Sequence, residues 1–152
     1  MRIGVISDTH GLLRPEALAA LQGVELIVHA GDVGDPEILV KLKQIAPVFA
    51  VRGNVDTQPW AQELPRTTMV EADGANLYVL HNLRELDLTP AAAGCQAVIT
   101  GHTHQPEIVE KNGVLYLNPG SAGPRRFSLP ICLAFLDVEN GKCRAEIVRL
   151  ME

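Results

Sequence analysis

Paired cysteines are missing from this chain. Cys95, Cys132 and Cys143 are odd in number and form no C-x-x-C, which argues against a disulfide framework and a thiolate zinc site. As reduced thiols they read as small buried hydrophobes. Basic runs are also missing: none is longer than Arg125-Arg126, and the formal net charge is −5. Such a surface has no footprint broad enough to follow a polyanionic backbone, so polymeric nucleic acid is not expected as a partner. Long apolar runs are absent near the start, where residues 3–6 are too short for a signal segment or a membrane span and Gly4 interrupts them. The expectation is a soluble, cytoplasmic protein with no membrane partner. Neither G-x-G-x-x-G nor G-x-x-x-x-G-K-[ST] occurs, which weighs against a nucleotide-binding redox or kinase domain.

What is present is 152 residues, 47% hydrophobic and 20% charged, without repeats, low-complexity tracts or a linker. That composition suits one domain over 1–152 with a real core. Residues 3–7 read as a first strand and residues 15–21 as a helix with Pro15 early, where its missing N–H costs nothing. Residues 26–29 make a second strand. Asp35-Pro36-Glu37 reads as a helix start, with Ile38, Leu42 and Ile45 continuing one apolar face. Residues 48–51 make a third strand, completing a β-α-β pattern that feeds a sheet with parallel strands.

Beyond that point the pattern shifts toward antiparallel strands. Residues 66–72 and 76–81 flank Asp73-Gly74, residues 107–110 and 114–117 flank Asn112-Gly113, and residues 131–138 and 143–150 flank Asn140-Gly141, three hairpin signals. Residues 96–100 are a further apolar strand. The whole predicts a mixed α/β domain.

Candidate ligands fall at the strand exits. Asp8 and His10 follow the first strand, Asp32 the second and Asn54 the third; His81 ends a later strand, and His102 and His104 follow the one ending at Thr100. In an open α/β sheet the crevice beyond the carboxyl ends of the strands is where ligands bind. Gly11, Gly31, Gly53 and Gly101 each sit beside a candidate, as tight turns near a ligand require. Oxygen and imidazole without thiolate suit Mn²⁺, Fe, Zn²⁺ or Ni²⁺. Seven groups exceed the needs of one tetrahedral ion and suit two ions roughly 3.5–4 Å apart bridged by a carboxylate. Two divalent ions offset by Asp8 and Asp32 leave about two net positive charges, which attract phosphate to an acidic protein.

Asp8-Thr9-His10-Gly11, Gly31-Asp32, Gly53-Asn54-Val55-Asp56, His81 and Gly101-His102-Thr103-His104 resemble, in order and spacing, the motifs of the calcineurin-like metallophosphoesterases. The nearest resemblance is to the minimal YfcE-like prokaryotic phosphodiesterases, whose branch also has a segment similar to Asn118-Pro119-Gly120-Ser121. The likeness runs from Met1 to about Ser121. It implies a four-layer α-β-β-α sandwich of two mixed sheets with flanking helices. It further implies that Asp8, His10, Asp32 and His104 hold one ion and Asp32, Asn54, His81 and His102 the other, with Asp32 bridging. On that pattern the catalytic work falls to Asp32, Asn54 and His81, through a metal-bridging water or hydroxide and the positioning of phosphate. The cofactors expected are two divalent ions, Mn²⁺ first and Fe, Zn²⁺ or Ni²⁺ as alternatives. The substrate expected is a small phosphate ester, a diester before a monoester, and a homo-oligomer is left open. The competing expectation is a metal-binding interaction scaffold of the same fold without physiological catalysis.

Three departures from the broader pattern matter. Val55 stands where the family usually has a His able to assist the leaving group, a role worth about 10²–10⁴-fold. Asn82 follows His81 where Gly is common, and the short span from Asn54 to His81 leaves no space for a cap domain, so an open site is expected. His29 is read as loop support rather than a ligand. Asp56 is read as an acceptor for a ligating imidazole. Asn118 and Ser121 are balanced between capping a turn and touching substrate. Arg52, Arg84, Arg125 and Arg126 are weak phosphate-binding candidates, and Trp60 and Phe127 weak base-stacking ones.

Overall fold

In β1 (Arg2–Ile6) side chains alternate between two faces, and both faces are buried: Ile3 and Val5 join one apolar cluster and Ile6 another. A strand buried on both sides belongs in the middle of a covered sheet. The computed structural model, which describes residues 1–151, places it there. The chain continues through α1 (Pro15–Ala20), β2 (Leu26–His29), α2 (Pro36–Lys43), β3 (Val48–Ala50), β4 (Thr67–Ala72) and β5 (Ala75–Leu80). It then forms β6 (Ala97–Ile99), β7 (Glu107–Lys111), β8 (Val114–Asn118), β9 (Ile131–Glu139) and β10 (Lys142–Met151).

The first sheet has the order β10-β9-β1-β2-β3, with β1, β2 and β3 parallel and β9 antiparallel to β1. The register sets Ile3 beside Leu26 and Val5 beside Val28. α2 begins as its residues dictate: the Asp35 carboxylate accepts from the Glu37 amide at 2.9 Å, Pro36 needs no partner, and Lys41 and Lys43 close the last turn. α1 stops at Ala20, one residue earlier than the spacing suggested, and Leu21 caps it while remaining fully buried. Ile45 also lies past the end of its helix, partly buried against the same cluster.

The second sheet has the order β4-β5-β6-β8-β7. Its two outer pairs are the expected hairpins, and the third hairpin joins β9 to β10. Asp73-Gly74, Asn112-Gly113 and Asn140-Gly141 all have positive φ at both positions, the conformation whose twist matches a tight antiparallel turn. The shift toward antiparallel pairing is, however, incomplete, because β5, β6 and β8 run parallel at the centre of this sheet. Their crossovers use a 3-10 turn (Leu83–Glu85) and irregular loops, which carry no helical periodicity to read.

Two mixed sheets therefore pack face to face over Val5, Val28, Leu77, Ile99, Leu117 and Leu136, with α1 and α2 on the outside of the first. The outer cover of the second sheet is lean. Leu86, Leu88 and Cys95 pack on Tyr78, Leu80 and Val98, leaving Val109 of β7 41% exposed on the same face. Among the described residues no helix is long and apolar enough to cross a membrane.

Candidate metal centre

β1, β2 and β3 end side by side because they are parallel, and the loops that leave them meet the loops after β5 and β6 at one rim. Asp8 is fully buried and its backbone amide donates to Gly31 O at 3.0 Å, while the His10 amide donates to Asp32 O at 2.9 Å. The Gly101 amide donates to His81 O at 2.9 Å. These cross-loop bonds bring six of the seven candidates into two groups. Asp8, His10 and His104 each offer one ligand atom, all within 4.8 Å of one another, and Asp32, His81 and His102 do the same. Asn54 adjoins the second group, its Oδ1 being 3.2 Å from His102 Nδ1.

The groups share their carboxylates. Asp32 Oδ2 lies 3.1 Å from His81 Nε2 and 3.6 Å from His10 Nε2. Asp8 Oδ1 lies 3.4 Å from His104 Nε2, 3.6 Å from His10 Nε2 and 3.8 Å from His81 Nε2. Each aspartate's other oxygen is tied to protein: Asp32 Oδ1 accepts from the Val55 amide at 3.0 Å, and Asp8 Oδ2 from Ser7 Oγ at 2.7 Å and the His102 amide at 3.0 Å. One oxygen of each is thereby turned into the cluster.

The backbone is strained to achieve this. Among the described non-glycine residues nine have positive φ, and Asp8, His10, Asp32, His102 and His104 are five of them. The left-handed region is costly for β-carbon residues and persists where surrounding structure enforces it, commonly at functional sites. Glycines admit the crowding: a β-carbon on Gly53 would strike Asp32 Oδ1, and one on Gly101 would strike Ser7 Oγ.

Asp8 Oδ1, His10 Nε2, His81 Nε2 and His104 Nδ1 are buried with no hydrogen-bond partner among the described residues. Orphaned buried polar atoms cost about 1–3 kcal/mol each and are rarely left so. Three of them lie together, His10 Nε2 and His81 Nε2 being 3.6 and 3.8 Å from Asp8 Oδ1, and an oxygen with two imidazole nitrogens fits a cation. His81 is poised for that role, because its Nδ1–H donates to Ala30 O at 2.7 Å and so leaves Nε2 with a lone pair.

The charge balance agrees. Burial opposes ionisation of Asp8, but His10 and His104, then His81 and the Ser7 hydroxyl, hold its carboxyl well below the usual range. Burial likewise opposes ionisation of Asp32, and His81 with the Val55 amide outweighs it. The Asp8 carboxylate raises His10, and Asp32 with Asp8 raises His81 against the effect of its burial. Both carboxylates are thus held ionised and draw positive charge toward the imidazoles around them.

The supporting residues have distinct tasks. His29 is fully buried, and burial pushes its pKa down to about 4, so it is neutral. Its Nδ1 accepts from the Gly31 amide at 3.1 Å, its Nε2–H faces Thr9 Oγ1 at 3.0 Å, and Thr9 donates to Val33 O at 2.8 Å. His29 therefore supports the loop and has no valence left for a metal. Asp56 is an acceptor, but for the amides of Val33, Gly34 and Gly53 at 3.0–3.1 Å rather than for an imidazole. Asn118 donates to Gly101 O and Thr103 Oγ1, and Ser121 donates to Asp8 O, so both hold turns. Ser7 was not anticipated; its position just before Asp8 at a strand exit was the available signal. Trp60 packs against the helices with Nε1–H on Gln58, whereas Phe127 is 88% exposed.

Comparison with known proteins agrees with this geometry. Residues 1–141 match the model of the calcineurin-like phosphoesterase superfamily domain. A protein of Methanothermobacter thermautotrophicus named probable metallophosphoesterase is 38% identical, over 98% of this chain and 92% of its own length. The phosphodiesterase YfcE of Escherichia coli is 27% identical, over 90% of this chain and 88% of its own. Among solved structures, an archaeal phosphodiesterase superposes with a TM-score of 0.80 at 25% identity, covering 97% of this chain and 100% of that one.

Proposed function

The chain belongs to the calcineurin-like phosphoesterase superfamily, and from that membership we propose that it hydrolyses small phosphate esters, diesters before monoesters, at a two-metal centre. The observation that carries the proposal is that three orphaned buried atoms, Asp8 Oδ1, His10 Nε2 and His81 Nε2, lie together, with Asp32 Oδ2 3.6 and 3.1 Å from the same two imidazoles. Asp8, His10, Asp32 and His104 would hold one ion and Asp32, Asn54, His81 and His102 the other, with Asp32 shared. Two divalent ions held there, Mn²⁺ foremost, would supply Lewis-acid polarisation of the phosphoryl group and acidify the attacking water.

The chain's own residues do the rest. Val55 and Ser7 orient the two carboxylates, and the Ala30 carbonyl fixes the His81 tautomer. Val55, 48% exposed and apolar, stands where the broader family has a His able to protonate a leaving group. Good leaving groups are therefore favoured. Two cavities open beside the second group, one of about 330 Å³ lined by Asn54 and His81 and one of about 720 Å³ lined by His102. With an ester group in each, both arms of a diester have a place. The whole chain would act as one cytoplasmic domain on a small-molecule substrate.

The test is to strip the protein with chelator, restore Mn²⁺, and compare an aryl phosphodiester with the matching monoester. Hydrolysis that returns with Mn²⁺ and favours the diester is expected. Mn²⁺ bound with neither ester hydrolysed would favour the scaffold alternative.

A further inference from the structure

The lean cover of the second sheet leaves a cavity of about 720 Å³ on its outer face, running from His102 and Thr103 along β7 and β8. Its composition does not match the rest of the molecule. Arg84, Lys111 and Arg126 line it against a single carboxylate, Glu107, although the chain as a whole carries −5. All three cationic residues are exposed, and none has a side-chain hydrogen bond or ion pair to another described residue. Arg126 lines the same cavity as His102 of the cluster. Beneath them the floor is apolar: Leu83 is 45% and Val109 41% exposed, and the ring of Tyr116 lies directly across from Val109 in the strand register.

Unpaired cations above an exposed apolar floor are a poor arrangement for stability alone. They suit an anion carried on a flat or apolar body. The cavity abuts His102 at one end, where Glu107 begins β7, and Lys111 lies four residues further along that strand, roughly 13 Å at the usual rise. A substrate phosphate at the metal cluster would send one ester arm into this space. Resting on the phosphoesterase assignment above, we propose that the cavity is an arm subsite that selects esters whose alcohol portion is nucleoside-like and carries a second phosphate. Arg84 and Arg126 face that phosphate near the cluster, and Lys111 extends the positive field outward.

Binding rather than turnover tests this, so that the subsite and the reaction can fail separately. Calorimetric titration of the Mn²⁺-loaded full chain would compare thymidine 3′,5′-bisphosphate with thymidine 5′-monophosphate. The bisphosphate should bind roughly tenfold tighter at low salt, as several weak charge contacts together allow, and the gap should narrow as salt rises. In the double variant Arg84→Gln, Lys111→Gln the two affinities should converge, while Lys41→Gln on α2, the same kind of charge removed elsewhere, should keep the gap. Equal affinity of wild type for both ligands would overturn the proposal, as would an equal loss for both in the double variant. A bisphosphate preference in a protein that hydrolyses no ester would keep the subsite and remove the phosphoesterase reading.

Discussion

Asp32 presents Oδ2 to His81 Nε2 at 3.1 Å while its Oδ1 is held by the Val55 amide at 3.0 Å. The same Oδ2 is 3.6 Å from His10 Nε2, so one atom faces both ligand groups. Asp32→Asn should keep the amide acceptor but lose the charge between the groups. The expected outcome is less than one tightly bound Mn²⁺ per chain at the second group and an activity loss beyond the 10–100-fold, in order of magnitude, that outer partners cost. Metal analysis after gel filtration, with an aryl phosphodiester assay, checks it.

Ser7 acts one step further out. Its hydroxyl donates to Asp8 Oδ2 at 2.7 Å and so leaves Oδ1 to face the imidazoles. Ser7→Ala should lower Mn²⁺ affinity by about 10–100-fold with little change in the circular dichroism spectrum. Calorimetric titration of Mn²⁺ into the two proteins gives the ratio.

How far all this was readable depends on which residues carry a local signature. The strand exits and the three X-Gly hairpins were legible because alternation and turn chemistry are local, and the seven candidates were legible because each follows an apolar run. Asp56 and Asn118 were not assigned their partners, because Asp56 accepts from backbone amides that no side-chain pattern marks and Asn118 reaches residues 15 and 17 positions away, while Ser7 bonds its own neighbour Asp8 in a pair of types too common to signal a contact. The parallel centre of the second sheet was hidden for a related reason: the crossovers after β5 and β6 contain no α-helix to announce them.

Asp56 should prove to be the main fastener of the rim. It accepts from the amides of Val33, Gly34 and Gly53, which would be left without partners in Asp56→Ala. The expected cost is about 3–5 kcal/mol, seen as a drop in Tm of roughly 10 °C. Differential scanning calorimetry of the chelated proteins measures it, and an unchanged Tm would contradict the role.

His29 makes stability depend on pH with a definite sign. Its pKa falls from 6.5 to about 4 on folding because burial excludes the charged form. Between those values the unfolded chain binds the proton and the folded chain does not, so stability is fully present above 6.5 and is lost as pH falls toward 4. The contribution is up to about 3 kcal/mol. Urea unfolding of the chelated protein at pH 7 and pH 4 should show a loss larger by about that amount than in His29→Gln, whose curve should be flatter.

The most direct test follows hydrolysis of an aryl phosphodiester as Mn²⁺ is added stepwise to metal-free protein, counted in equivalents bound per chain. Little activity is expected with the first equivalent and a steep rise through the second, ending at two. Saturation at two bound ions without hydrolysis, or full activity at one, would contradict a two-metal phosphoesterase.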